Sequence, residues 1–213
     1  MKLRINPLIF NKLYFHLLKA LQDESIRFIT IYGGSSSSKS YSIIQSILFQ
    51  CLIAESSNTM VLRKFGADIR DSVYSDFKGQ INDYNLRDLI EPQINLLKCS
   101  NGAQVRFRGL DDAEKIKGLA TFKRVFLEEI TQFDEEDLKQ VRKRLRGRAG
   151  QQIIAAFNPI SEDHWIKTKF IDTFQWLEEE SDLDENSFIK RSTCGSHLLI
   201  KTTYNRIVTG KQG

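Results

Sequence analysis

Gly33-Gly34-Ser35-Ser36-Ser37-Ser38-Lys39-Ser40 is the stretch on which the fold turns. It follows an apolar β-type run, Ile26 to Tyr32, and precedes a helical run, Tyr41 to Ala54. Strand, small-residue loop, Lys-Ser and helix together make the context of a P-loop. Small residues let the backbone curl so that its N–H groups face a phosphate, and the helix N-terminus adds partial positive charge. In that reading Gly33, Gly34, Ser35, Ser36, Ser37 and Ser38 form the cradle. Lys39 reaches the β- and γ-phosphates, and the Ser40 hydroxyl ligates Mg²⁺. The spacing departs from the usual Gly, four residues, Gly, Lys, Ser or Thr, because Ser38 stands where the second glycine is expected. A run of four serines also suits a flexible linker, but its flanks are periodic rather than polar.

The 213 residues suffice for one α/β domain with a core. Hydrophobic residues make up 41% and charged residues 27%, the balance of a soluble globular protein. No apolar run approaches the roughly 20 residues of a membrane span, and Met1 to Pro7 lacks a signal-peptide core. Cys51, Cys99 and Cys194 are odd in number and far apart, which suits reduced thiols in a cytosolic compartment and no zinc spacing. The net charge of +4 permits a polyanionic partner without demanding one.

Outward from the loop, residues 8–22 carry Leu8, Ile9, Leu13, Leu17, Leu18 and Leu21 near helical spacing. Phe10, Tyr14 and Phe15 precede the loop strand and fit core packing better than stacking on a base. Thr59 to Arg63 reads as a short buried strand, with Arg63 and Lys64 at the edge where α/β sheets bind ligands. Gly66 to Tyr84 has helical spacing, and Pro92 breaks the next segment. Gln93–Leu97 and Gln104–Arg108 flank Ser100-Asn101-Gly102, a hairpin signal. Gly109 to Gly118 is polar and reads as a loop. Arg124 to Glu129 is a strand ending in two acids, and Asp134 to Leu145 is a helix with acids first and bases last, which suits its dipole. Gln152 to Phe157 is a strand that Pro159 must end. Trp165 to Phe174 looks helical; beyond 176 come an acidic loop or lid, runs at 188–189 and 197–204 that could be strands, and a tail.

Strands alternating with helices imply a mainly parallel sheet. An NTPase with a P-loop also requires an acid at a strand end for the metal's water shell and a base to orient the attacking water. Glu128 fits the metal position and Glu129 the base position, because they end an apolar strand where side chains point into the ligand crevice. Adjacent glutamates are otherwise most often a solvated surface. Asn158, at the tip of the next buried strand, fits a sensor of the γ-phosphate; alone, Asn-Pro is a turn starter.

Together these segments resemble the ATPase domain of a tailed-phage terminase large subunit, in the branch whose Walker B motif ends in Glu-Glu. The matching stretches are Tyr32 to Ser40; Val61-Leu62-Arg63-Lys64 with Arg70-Asp71-Ser72; Arg108 to Asp112 with Lys115 to Gly118; and Phe126 to Glu129, followed by Phe157-Asn158-Pro159 and His164-Trp165. The resemblance implies an ASCE-type P-loop fold, with a mainly parallel sheet flanked by helices. It also implies ATP hydrolysis with Mg²⁺, and a homo-oligomeric ring that threads double-stranded DNA through a portal protein. A terminase small subunit and an infected bacterial cytoplasm complete the expected setting. Ser35 stands where such proteins often have arginine, so the transition-state charge is expected from elsewhere, including a neighbouring subunit. Lys117 is the candidate, with Arg124 and Arg142 as alternatives. The family's second, RNase H-like nuclease domain needs about 150 residues, whereas about 35 follow residue 176. The expectation is an ATPase domain over 1–176 and an extension or linker over 177–213, without nuclease activity. Lys139, Arg142, Lys143, Arg144, Arg146 and Arg148 form a basic run that suits either DNA phosphates or a solvated helix end. An ATP-binding switch or scaffold with little turnover, and a helicase-like P-loop ATPase, are the competing readings.

Overall fold

Apolar residues fill both faces of the central strands, because each strand sends neighbouring side chains to opposite sides of the sheet. In the computed structural model, which describes residues 6–54, 57–111, 118–145, 148–161 and 163–203, both sides are covered. Ile29, Ile31, Val61, Phe126, Ile154 and Ala156 pack on one side with helices α1 (Lys12–Gln22), α2 (Lys39–Ile53) and α3 (Val73–Asp83). Phe28, Met60, Leu62, Val125, Leu127, Ile153 and Ala155 pack on the other with α4 (Glu135–Arg144). Burying each large apolar side chain contributes about 1.5–3 kcal/mol, which fixes the register of the sheet.

The strands are β1 (Phe28–Gly33), β2 (Thr59–Arg63), β3 (Ile90–Gln93), β4 (Leu96–Cys99), β5 (Gln104–Gly109), β6 (Arg124–Leu127), β7 (Gln152–Phe157), β8 (Trp176–Glu179), β9 (Phe188–Ser192) and β10 (His197–Thr202). Their spatial order is β3-β4-β5-β2-β6-β7-β1-β10-β9-β8. From β5 to β10 every pairing is parallel, while β3-β4-β5 and β10-β9-β8 are antiparallel. β7 lies between the loop strand β1 and the acid strand β6. The α/β expectation with a mainly parallel sheet therefore holds.

Several boundaries differ from expectation. The sheet does not end at 176: β8, β9 and β10 belong to it, and β10 pairs with β1 from Phe28–His197 to Gly33–Thr202. An ATPase unit over 1–176 would omit a direct neighbour of its own loop strand. Pro92 does not break its segment but sits in β3, whose outer edge has no ladder to lose. The 66–84 stretch divides into a 3₁₀ turn (Gly66–Ile69) and α3. The 165–174 stretch is largely a π-helix, Lys167–Asp172. α4 starts where Asp134 caps it, through a reciprocal capping box with Asp137.

Candidate active site

Every parallel strand delivers its C-terminal end to one edge of the sheet, the ligand edge of such folds. β1 leads there into the 33–40 loop. A Cβ on Gly33 would lie 2.2 Å from the Thr202 carbonyl oxygen, so the close approach of β10 dictates glycine. Gly34, Ser35 and Ser36 are exposed, and Ser37 is buried and turns back through its N–H to the Gly34 carbonyl at 3.0 Å. Ser38, at the position of the missing glycine, is left-handed, with φ 59° and ψ 9°. The loop thus keeps the conformation for which glycine is favoured, in a residue that adopts it at a cost of about 1 kcal/mol.

Lys39 opens α2 and is buried. Its Nζ donates to Asn158 Oδ1 at 2.7 Å and to the Gly34 carbonyl at 3.1 Å. Burial lowers its pKa, and the fields of Glu128 and Glu129 oppose that shift. Ser40, half-buried, follows in the first turn of the helix. Lys39 and Asn158, separated by 119 positions, are therefore in direct contact.

Glu128 and Glu129 follow β6, and Arg63 at the end of β2 holds both. Arg63 Nε is 2.9 Å from Glu128 Oε2, and Nη2 pairs with Glu129 Oε2. The Nε contact is an ion pair without an aligned N–H, and Glu128 Oε2 has no hydrogen-bond donor among the described residues. Burial pushes the Glu128 carboxyl up to about 7; Arg63 pulls the other way, and Glu129 and Asp76 add to the rise. Glu129 is left-handed, at φ 51° and ψ 55°, and also accepts from Gln132 Nε2 at 2.8 Å. Two strained non-glycine residues, Ser38 and Glu129, thus flank the site. Arg63 is anchored in turn by donating to Ser72 Oγ at 2.6 Å.

Gly33, Lys39, Glu128, Glu129 and Asn158 gather as expected at this edge. Lys117 lies outside the described residues, as do Arg146 of the basic run and Asp112, Lys115 and Ile116 of the third matching stretch. Arg124 is corrected as a source of transition-state charge. It is buried, donating to Ser57 Oγ, Gln152 Oε1 and the Leu21 carbonyl, and burial lowers its pKa. Arg142 lies at the other end of the sheet, over the Phe28 ring at 5.3 Å, about 16 Å along β1 from Gly33. It cannot reach this chain's own loop. The reading from sequence missed the grip of Arg63 on both acids; the available signal was an arginine closing an otherwise apolar strand at the ligand edge. Phe10 and Tyr14 pack on one another and on Phe49, in the core role expected of them. Phe15 is corrected: it meets Tyr14 edge-on but is exposed, because it falls on the outer face of α1.

Among the described residues no helix is long and apolar enough to cross a membrane, and no group of three or more His, Cys, Asp or Glu could hold a metal unaided.

Comparison with known proteins points the same way. The family model for the phage terminase large subunit matches residues 25–210. The PBSX phage terminase large subunit of Bacillus subtilis (strain 168) is 24% identical over 193 residues, covering 84% of this chain and 44% of that protein. The large terminase of a thermophilic bacteriophage, in complex with ATP-gamma-S, superposes with a TM-score of 0.64 at 16% identity, over 92% of this chain and 45% of that one. The N-terminal domain of the DNA packaging ATPase from bacteriophage phi29 gives a TM-score of 0.58 at 11% identity, over 91% of this chain and 96% of that domain. The chain spans less than half the length of the curated relative it matches. Since the family model covers most of the sequence, including every described strand, the chain belongs to the phage terminase large subunit family.

Proposed function

We propose that this chain is the ATPase motor domain of a terminase large subunit, hydrolysing ATP to drive double-stranded DNA into a procapsid. The observation that carries this reading is the convergence at one sheet edge of Lys39 with Asn158 and of Arg63 with Glu128 and Glu129. ATP would lie with its phosphates on residues 33–40. Ser40 and Glu128 supply oxygen donors of the kind Mg²⁺ takes, partly through water, and Glu128 Oε2 is a buried carboxylate oxygen with no hydrogen-bond donor among the described residues. Bound Mg²⁺ would neutralise charge on the β- and γ-phosphates.

Glu129 then orients water for in-line attack, which requires its carboxylate to leave Arg63 and Gln132 at least in part. Asn158, bonded to Lys39, exchanges that partner when the γ-phosphate takes the lysine, so occupancy of the site is passed to β7. The ATPase unit runs through Thr202, because β10 closes the loop strand. Lys117 remains the candidate for transition-state charge, in cis or across a ring of like subunits.

The basic end of α4 is the surface proposed for DNA phosphates. The portal protein and small subunit are proposed as partners on the strength of family membership. The test is Mg²⁺-dependent ATP hydrolysis by the chain, alone and with duplex DNA, compared with Glu129→Gln. Equal turnover in both proteins would remove the base and with it the motor.

A second reading, an ATP-binding switch with little turnover, is favoured by one observation: Glu129 Oε2 is held by two partners, Arg63 and Gln132. Single-turnover measurement separates the two, since a switch retains nucleotide without releasing phosphate.

A further inference from the structure

The left-handed Ser38 sits where a glycine would need no support, and support for it reaches in from outside the loop. Its carbonyl accepts from both donors of Ser42: the backbone N–H at 2.9 Å and the hydroxyl at 2.9 Å. Ser42 is fully buried in α2. Its hydroxyl oxygen lies 2.7 Å from Asn11 Nδ2 and 3.0 Å from Asn11 Oδ1. A serine hydroxyl has one hydrogen to give. Asn11 Oδ1 also accepts from the Tyr14 N–H at 2.9 Å, as the cap of α1. The amide donates through Nδ2 to Ser42 Oγ, and of the two acceptors in reach of the Ser42 hydrogen the Ser38 carbonyl, at 2.9 Å, is the nearer.

We propose that Asn11 is a positioning residue for the phosphate-binding loop: through Ser42 it holds the Ser38 carbonyl, and so the left-handed turn that a glycine would otherwise provide. The relay compensates for the departure at position 38. Without it, Ser38 relaxes toward right-handed or extended backbone, and the N–H groups around it turn away from the phosphates. The effect falls on ATP binding rather than on the chemical step, because the relay reaches the loop and not the acids that follow β6. This inference rests on the ATP site proposed above.

The variant that isolates the relay is Asn11→Asp. A carboxylate still caps α1 by accepting from Tyr14 N–H, but it cannot donate to Ser42 and draws the hydroxyl hydrogen to itself. Steady-state kinetics of the full chain with Mg·ATP are expected to show KM raised about threefold to tenfold, with kcat within about twofold. Ser42→Ala, a substitution that a buried helix position tolerates, should do the same. The decisive measurement repeats both in a Ser38→Gly background, where the KM penalty should disappear, because glycine holds the turn unaided. If turnover is too slow to measure, the dissociation constant of a fluorescent, slowly hydrolysed ATP analogue is expected to follow the same pattern. An unchanged KM in Asn11→Asp and Ser42→Ala, or a penalty of equal size with glycine at 38, would overturn the relay. Lys39→Ala in the same assay reports on the site itself. Lost binding there, with no effect at position 11, removes the relay and keeps the site; intact binding there removes the site.

Discussion

At the carboxyl end of the strands, Arg63 is buried against Glu128 and Glu129, with Lys39 in their field. At the amino end, burial and then the charge of Arg142 lower the Arg27 pKa, and the same two causes hold His197 down at about 4. A cleft of about 570 Å³ there is lined by Arg27, Phe28, Lys139, Arg142 and Lys143. Among the described residues its one lining carboxylate, Glu136, is 3.6 Å from Lys139. One end is charge-matched within the chain, by Arg63 and Lys39 against Glu128 and Glu129. The other carries an excess of positive charge, which an external anion would relieve. A phosphate-driven switch needs the first arrangement, and a weak, sequence-independent hold on a polyanion needs the second.

The matched end gives the largest effects. Glu129→Gln is expected to lower single-turnover hydrolysis by about 10²- to 10⁴-fold while leaving nucleotide affinity in place; loss of affinity instead would assign Glu129 to binding. Arg63→Ala leaves two acids without their buried cation, and denaturant unfolding should show a loss of about 3 kcal/mol or more.

The pH dependence follows from Glu128. Its folded pKa of about 7 stands above its ordinary value of 4.5, so the folded state holds more protons between those limits. Its contribution to stability therefore falls as pH rises from 4.5 to 7 and is flat above. Thermal melts of wild type and Glu128→Gln without Mg²⁺ should diverge over that window by about 1–3 kcal/mol, the variant gaining with rising pH. Convergence with rising pH would mean that Arg63 outweighs burial.

At the basic end, Arg142→Ala with Lys143→Ala should reduce the slope of log affinity for duplex DNA against log salt by about 1.8 and leave nucleotide binding unchanged. An unchanged slope would assign the cleft to another anion or to none. The smallest effect is Ser38→Gly alone, expected to raise stability by about 0.5–1 kcal/mol in urea titration, by removing a strained non-glycine turn.

Much of the carboxyl end was legible in the sequence because its signals are local. The 59–63 and 152–157 strands have the bounds their apolar runs suggest, since fully buried strands need no partner to be recognised. Lys39, Glu128, Glu129 and Asn158 each follow or end such a strand. The contacts between them were not legible. Whether Arg63 pairs with one acid, both or neither depends on β2 lying beside β6, a tertiary fact without a local mark. The same holds for β10: the run from His197 could be read as a strand, but nothing near it says that it pairs with β1, Phe28 opposite His197. The π geometry of residues 167–172 left no signal, since the apolar spacing of one and a half turns fits either helix.

The pairing of β10 with β1 bears on how the protein is made. A ribosome that has just finished residue 176 has supplied Lys39, Glu128, Glu129 and Asn158, yet one hydrogen-bonding edge of β1 is still open. Only when residues 197–202 emerge can that edge close, and the contact it forms is among the longest in sequence between the described residues. Nascent chains stalled before that point hold an unpaired strand at the centre of the future sheet, ready to join any other extended segment nearby. Completion of the 33–40 loop's surroundings thus waits for synthesis through residue 202, and a chain shortened to residue 176 is a candidate for aggregation.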